Sequence, residues 1–357
     1  MDALPHSHTI STLSPSPSIQ KPFMLQGHDR SITTVQYNRE GDLLFSTSKD
    51  ATPQVWWVEN GERLGTYDGH QGTVWDCAVD FMTERLLTAS ADNTARLWEV
   101  QTGVEMAAIE FPTPVRVAEW AEGNDRAMFV SDRLMGHDAF LRVYRMPALG
   151  APNGGDEPEL LIDIGLGQKC KSARFSALNT SIYAGMEDGT IRVYDTETQE
   201  EIGCINAHKE RIHDFSFNDN KQLAISASKD RTAKLWDVKS HQLIQTYTTE
   251  NPVNSAKISP LYDHVILGGG QDAMSVTTTS ASAGKFQVRF FHAIYGEELG
   301  GVTGHFGPIN YLDFSPDGHG FTSGGEDGYV RIHKLPKEYD TQALEFRELE
   351  AIAAAMQ

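Results

Sequence analysis

The sequence predicts an all-β protein, a seven-bladed β-propeller, on three observations. The first is residues 207–247, which read as four short strands at 212–217, 223–228, 232–236 and 243–247. β-branched and aromatic runs of this length, broken by Asn, Asp and Lys turns, are the strand signature. The second is recurrence. An aromatic residue ends the third strand of each unit at Trp56, Trp98, Tyr144, Tyr194, Trp236 and Phe291, with His333 in the seventh place. The third is spacing. His28, His70, His208 and His305 each precede an aspartate by 22 residues (Asp50, Asp92, Asp230, Asp327), and each aspartate precedes the aromatic position by 6. A lone four-stranded sheet cannot bury both faces, so the copies should close into a ring.

Size and composition fit one such ring. At 357 residues the chain accommodates seven units of roughly 40–45 residues. A net charge of −19 argues against non-specific nucleic-acid binding, which needs Lys and Arg against phosphates. It suits partners with basic segments. Cys77, Cys170 and Cys204 lie far apart without a C-x-x-C pair. They read as small apolar groups in a reducing compartment, and a zinc site is not supported. No apolar run is long enough for a transmembrane helix. The first residues lack the basic flank and apolar core of a secretory signal.

Residues 1–20, rich in Ser, Pro, Thr and His, read as a disordered tail, and His6 and His8 as solvated rather than metal-binding. The propeller is assigned to 21–335. Residues 336–357 form a tail, expected to be helical over 339–356 from its Ala, Glu and Leu content. Three blades are degenerate. Blade 3 opens on PTPVRVAEW, carries RLMGH in a turn, and keeps Asp138 six residues before Tyr144. Blade 4 keeps Asp188 and Tyr194-Asp195 without a Gly-His start. Blade 6 opens on ENPVNSAKIS and carries the insertion SVTTTSASAGKFQ. That insertion and the loop at 148–159 should be mobile. Blade 7 supplies strands only at 309–314, 320–324 and 329–333. Its fourth is expected from residues 22–25, which would remove two open sheet edges.

Four sets of residues imitate a hydrolytic triad: His28, Ser46, Asp50 and Trp56; His70, Thr88, Asp92 and Trp98; His208, Ser226, Asp230 and Trp236; and His305, Ser323, Asp327 and His333. A catalytic triad occurs once, at a cleft. Repetition points to a structural network in which His donates to Asp and accepts from a hydroxyl that also takes the Trp N–H. The Gly-rich strings at 268–271 and 324–328 lack the Lys-Ser/Thr ending of a phosphate loop. They sit where backbones must approach closely. No non-repeating cluster of carboxylates or His is legible for the central channel. The chain reads as a non-enzyme without cofactor or metal.

Longer strings carry a resemblance. YNREGDLLFS (37–46), NGERLGTYDGH (60–70), SADNTARLW (90–98), the Thr-rich LGGGQDAMSVTTTSASAGKFQVRFFH (267–292), GHFGPIN (304–310) and SGGEDGYVRIH (323–333) together closely resemble the WD-repeat family of subunit i of eukaryotic translation initiation factor three. The resemblance covers about 22–340. It implies a non-catalytic, cytoplasmic scaffold in the initiation complex on the 40S ribosomal subunit. It also implies binding of a helical segment of subunit b across blades 5 and 6, and of a segment of subunit g. Two rival adaptor classes fit less well. Cullin ubiquitin-ligase receptors carry an Arg two residues after the WD pair, where Lys239 and Gln101 stand here. The kinase-receptor-associated WD proteins share the propeller without the blade 6 string.

The turns of blades 5 and 6 on one face would then form the partner surface: Asp219, Asn220 and Asp237 from blade 5, with Tyr262, Asp263 and Tyr295 from blade 6 beside Leu261. Carboxylates beside exposed apolar side chains suit an amphipathic basic helix. In the family, an acidic residue of the first turn and the Asp of the WD pair receive the partner. Asp237 matches the second. Asn220 falls on the first and is uncharged, so either Asp219 takes over or the contact is weaker. Asp and Asn also favour turns for backbone reasons alone.

Overall fold

The fifth blade consists of strands Ile212–Phe217, Leu223–Ser228, Thr232–Asp237 and Leu243–Thr248, each within a residue of expectation. Burial falls outward: the second strand is almost wholly buried and the fourth largely exposed. The computed structural model describes residues 21–147, 157–270 and 286–335. There the blade recurs as seven antiparallel four-stranded sheets, with the first strand of each lining the ring's centre. The tail at 1–20, the helix expected at 339–356, and most of the loop at 148–159 and of the blade 6 insertion lie outside the described residues.

The register carries a regular irregularity. In all seven blades the pairing of the first two strands shifts by one residue near its start, as at Ile212/Asp214 and Ile32/Thr34. Such a bulge increases local twist, which lets seven flat ladders splay around an axis. Between consecutive blades lie seven apolar clusters. Phe45, Val55 and Tyr67 of blade 1, for example, pack on Cys77, Leu86 and Trp98 of blade 2. Stability therefore resides between blades rather than within them.

Closure is by the N-terminal strand. Phe23–Leu25 pairs antiparallel with Val330–Lys334, Leu25 opposite Val330 and Phe23 opposite Ile332. Leu25 is 3% exposed and joins Ile32, Val330 and Ile332 in one cluster. The Gly-rich strings serve close packing. A Cβ on Gly324 would stand 2.5 Å from Ile32 Cγ2, and one on Gly268 2.8 Å from Ile309 Cγ2.

Two details depart from expectation. The last blade 7 strand starts at Val330 because the Tyr329 amide is held in the turn by Asp327 Oδ1 at 3.2 Å. In blade 3 the longer turn swings Asp138 outward to Arg133 (3.5 Å), and Asp132 occupies the interior, accepting from Arg116 Nε at 2.8 Å.

Candidate functional site

The four repeated sets assemble as hydrogen-bonded chains. His28 Nδ1 lies 2.7 Å from Asp50, and its Nε2 lies 2.8 Å from Ser46 Oγ, which accepts from Trp56 Nε1 at 2.8 Å. His70, Asp92, Thr88 and Trp98 repeat this at 2.8, 2.7 and 2.9 Å. His208, Asp230, Ser226 and Trp236 do so at 3.1, 2.7 and 2.9 Å. The proton order is fixed by the donors. The carboxylate can only accept, so Nδ1–H goes to it; Nε2 of the uncharged ring then accepts the hydroxyl proton, and the indole N–H donates to the same hydroxyl oxygen. Ser46, Thr88 and Ser226 are 0% exposed, so these hydroxyls face no substrate. Burial opposes ionisation of the aspartates, but the His hydrogen bonds outweigh it, with further bonds to each carboxylate. All four are held below the ordinary carboxylate range.

Blade 7 is looser. His305 still bridges Asp327 (3.0 Å) and Ser323 (2.8 Å). His333 reaches Ser323 Oγ only at 3.4 Å, stacks on Phe321, and leaves its buried Nδ1 without a partner. A five-membered ring is too short to place its nitrogen where the indole N–H sits.

The central channel differs from expectation. It is lined by a polar cluster that does not repeat from blade to blade: Asp76, Glu119, Arg174, Asp214, Lys257 and Asp313. The repeat search missed it because each first strand supplies a different polar residue. The signal was a lone acid inside an apolar strand, as in VWDCAV, IHDFSF and INYLDF. Geometry explains the cluster. A side chain of each blade's first strand bonds to the first strand of the next blade around the whole ring. Gln36 accepts from the amide of Val79 (3.1 Å), Asp76 from Ala118 (3.2 Å), Glu119 from Phe175 (2.9 Å) and Ser172 from Phe215 (3.0 Å). Asp214 accepts from the Ser255 hydroxyl (2.7 Å), Ser255 from Leu312 N (3.2 Å) and Asp313 from Tyr37 N (2.9 Å). Arg174 and Lys257 supply the compensating charge: Lys257 lies 3.1 Å from Asp214, and Arg174 donates to the Tyr311 hydroxyl at 3.1 Å. No group of three or more His, Cys, Asp or Glu among the described residues is placed to hold a metal.

This belt makes stability pH-dependent. Burial pushes the Asp76 and Asp313 carboxyls up to about 6 and Glu119 up to about 7. Groups raised in this way bind protons in the folded state that the unfolded chain has released, so their contribution to stability rises as pH falls from about 7 toward about 4. The turn aspartates act in the opposite sense. Their contribution is present above about pH 4 and is lost as pH falls toward their depressed folded values. Burial holds the imidazoles of His213, His305 and His333 below their usual range, and these oppose the belt's rise below about pH 6.5; stability is expected to collapse below about pH 4. Glu119→Gln should flatten the rise. A Glu119→Gln melting profile that runs parallel to that of the unaltered protein between pH 7.5 and 5.5 would contradict this assignment.

On the face formed by the turns between strands one and two and between strands three and four, blades 5 and 6 are joined. Gln245 Nε2 donates to Ile294 O at 2.8 Å and Tyr247 OH donates to Ala293 O. Asp219, Asn220 and Asp263 are exposed and Asp237 is half-buried. Asn220 closes its own turn onto the Gln222 amide at 3.0 Å. Asp237 accepts from the Ser240 hydroxyl and the amides of Lys239 and Ser240, and these bonds hold its carboxyl below the usual range. Ile294 and Tyr295 are more than half exposed, and Leu261, Leu243 and Ile244 are exposed beside them. Tyr262, expected to face outward, is buried. Ser259 Oγ accepts from the amides of Leu261 and Tyr262 (3.3 and 3.2 Å) and turns the ring inward against His264.

The family model EIF3I matches residues 20–345. The chain belongs to this family. It is 47% identical over 320 residues to eukaryotic translation initiation factor 3 subunit I of Danio rerio, an alignment that covers 89% of this chain and 98% of the relative. The proteins of the same name from Culex quinquefasciatus and Taeniopygia guttata are 45% and 46% identical over 321 residues, each alignment covering 89% of this chain and 98% of the relative. As a subunit I family member it is a component of a translation initiation factor complex. No helix among the described residues is long and apolar enough to cross a membrane.

Proposed function

We propose that this subunit I family member is a non-catalytic, cytoplasmic scaffold. It holds a helical segment of subunit b and a further segment of subunit g within the initiation complex, and so supports mRNA recruitment and scanning on the 40S ribosomal subunit. One observation carries the reading: exposed Asp219 and Asp263 and half-buried Asp237 share the turn face of blades 5 and 6 with exposed Leu261, Ile294 and Tyr295. A basic amphipathic helix satisfies both halves of that surface, its apolar stripe covering the side chains and its cations meeting the carboxylates. Asp219 stands in for the charge that Asn220 lacks. The interior of the ring favours a holding role, because its carboxylates Asp76, Glu119 and Asp313 accept bonds from the next blade.

The test is charge reversal on the face. Asp219→Lys with Asp237→Lys is expected to weaken capture of a recombinant subunit b segment by about 2 kcal/mol, roughly thirtyfold. Asp237→Asn should recover most of the loss, since an amide can still cap the turn. Unchanged affinity for a normally melting double variant, measured by titration calorimetry in moderate salt, would assign the segment to another face.

A further inference from the structure

On the face of the turns between strands one and two, the central channel widens into a funnel of about 560 Å³. Its rim is apolar. Phe81, Phe217, Pro260 and Pro316 come from the ends of the first strands, or the turns that follow them, in blades 2, 5, 6 and 7. Phe81 is 55% exposed and Met82 beside it 61%, although the turn that carries them is fixed by the Phe81 amide donating to Asn124 Oδ1 at 3.2 Å. The funnel reaches down to Asp76, Glu119 and Asp313 of the belt. Two large apolar side chains are thus left open to solvent at the mouth of a cavity with an acidic floor.

That floor is short of cations. Asp76, Glu119, Asp214 and Asp313 face Arg174 and Lys257, four carboxylates against two cations. Lys257 is paired with Asp214 at 3.1 Å. Among the described residues no ion pair joins a cation to Asp76, Glu119 or Asp313, and Arg174 acts on the first two only at longer range. Each of the three is held by a backbone amide of the next blade, which fixes its position without cancelling its charge. Glu119 accepts through Oε2, and its Oε1 takes no hydrogen bond among the described residues. The third cation of the lining, Arg39, lies at the rim, its guanidinium 3.9 Å over the Phe81 ring.

From this arrangement we propose that the funnel receives one arginine side chain carried on an extended segment of a partner protein, its stem against Phe81 and Phe217 and its guanidinium among Asp76, Glu119 and Asp313. Charge complementarity names the occupant. The belt has two unmatched negative charges, and whatever meets them must pass an apolar rim. Arginine suits both demands: its forked donors bridge two carboxylates, and it sheds water more readily than an ammonium. A metal ion is a poorer match, since among the described residues no three acidic, His or Cys side chains are placed to hold one. The inference goes beyond the blade 5 and 6 surface and does not rest on it, because Phe81, Glu119 and Asp313 lie outside that surface.

The test titrates the full chain at low ionic strength with a short blocked peptide bearing one central arginine, and with the same peptide bearing citrulline, which keeps the shape and lacks the charge. Calorimetry should show saturable one-to-one binding of the arginine peptide, with the citrulline peptide about tenfold weaker or worse. Glu119→Gln and Asp313→Asn should each weaken binding about tenfold. Their amide oxygens can still accept from the Phe175 and Tyr37 amides. Phe81 is exposed, so Phe81→Ala, expected to cost about threefold, remains informative if either of those variants fails to fold. Arg39→Gln removes a like charge from the rim and should tighten binding about twofold. Glu187→Gln, on the opposite face, should change nothing. Affinity should also fall severalfold from pH 7.5 to 5.5, because the cation favours the ionised forms of Asp76, Asp313 and Glu119. Over that range Arg174 and Lys257 stay charged and Asp214 stays ionised, while burial keeps Tyr37, Tyr311 and Cys77 neutral. Equal affinity for the two peptides, no saturable binding, weaker binding by Arg39→Gln, an affinity that does not change with pH, or indifference to both Glu119→Gln and Asp313→Asn would overturn the proposal.

Discussion

A chain that begins at Gln26 is expected to be less stable than one that begins at Lys21 by about 4 kcal/mol, from the loss of one buried Leu and a short ladder. The five residues removed include the whole closing strand Phe23–Leu25. Phe23 and Met24 are substantially exposed, so their side chains contribute little. Leu25 is buried between blades 7 and 1, and its loss leaves a cavity lined by Ile32, Val330 and Ile332. The ladder to Val330–Lys334 is lost at the same time. An exposed strand edge then remains where the ring should close, which invites association between chains. The measurement is urea unfolding of the two chains side by side, with light scattering. Coincident transitions would mean that the ring is held without this strand.

Arg174→Met is expected to cost about 3–5 kcal/mol near pH 7.5, the range for stranding buried charges by removing one partner. Arg174 compensates Asp76, Glu119 and Asp214 at once and donates to Tyr311 OH (3.1 Å) and Ala173 O (2.9 Å). Met fills most of the volume but leaves those carboxylates facing one another across the channel. The pH dependence separates this cause from simple misfit. Asp76 and Glu119 already titrate near 6 and 7, and without Arg174 they move higher. Protonation near pH 5 then removes most of the penalty, and the gap between the variant and the unaltered protein should narrow by half or more. A packing defect would cost the same at both values. A variant as stable as the unaltered protein at pH 7.5 would show that Lys257 alone balances the belt.

The architecture was legible because the repeat is written in side chains that must meet. His, Ser or Thr, Asp and Trp recur at fixed offsets because one hydrogen-bonded chain, Trp to hydroxyl to His to Asp, has to be rebuilt in each well-formed blade. Spacing alone therefore yields blade number, strand order and the need for Phe23–Leu25 to complete blade 7. The blade 5 and 6 turns were also legible as turns, although the sequence could not show that Ser259 draws Tyr262 inward.

What the sequence by itself determined is whatever depends on neighbours within a blade: the strands and the tetrads. Only the tertiary structure decided what depends on neighbours across blades. Asp76, Glu119, Asp214 and Asp313 stand more than 40 residues apart along the chain, on four different first strands, and no periodicity relates them. Ring closure brings them to one axis, where each accepts from a donor on the next blade instead of being left unpaired.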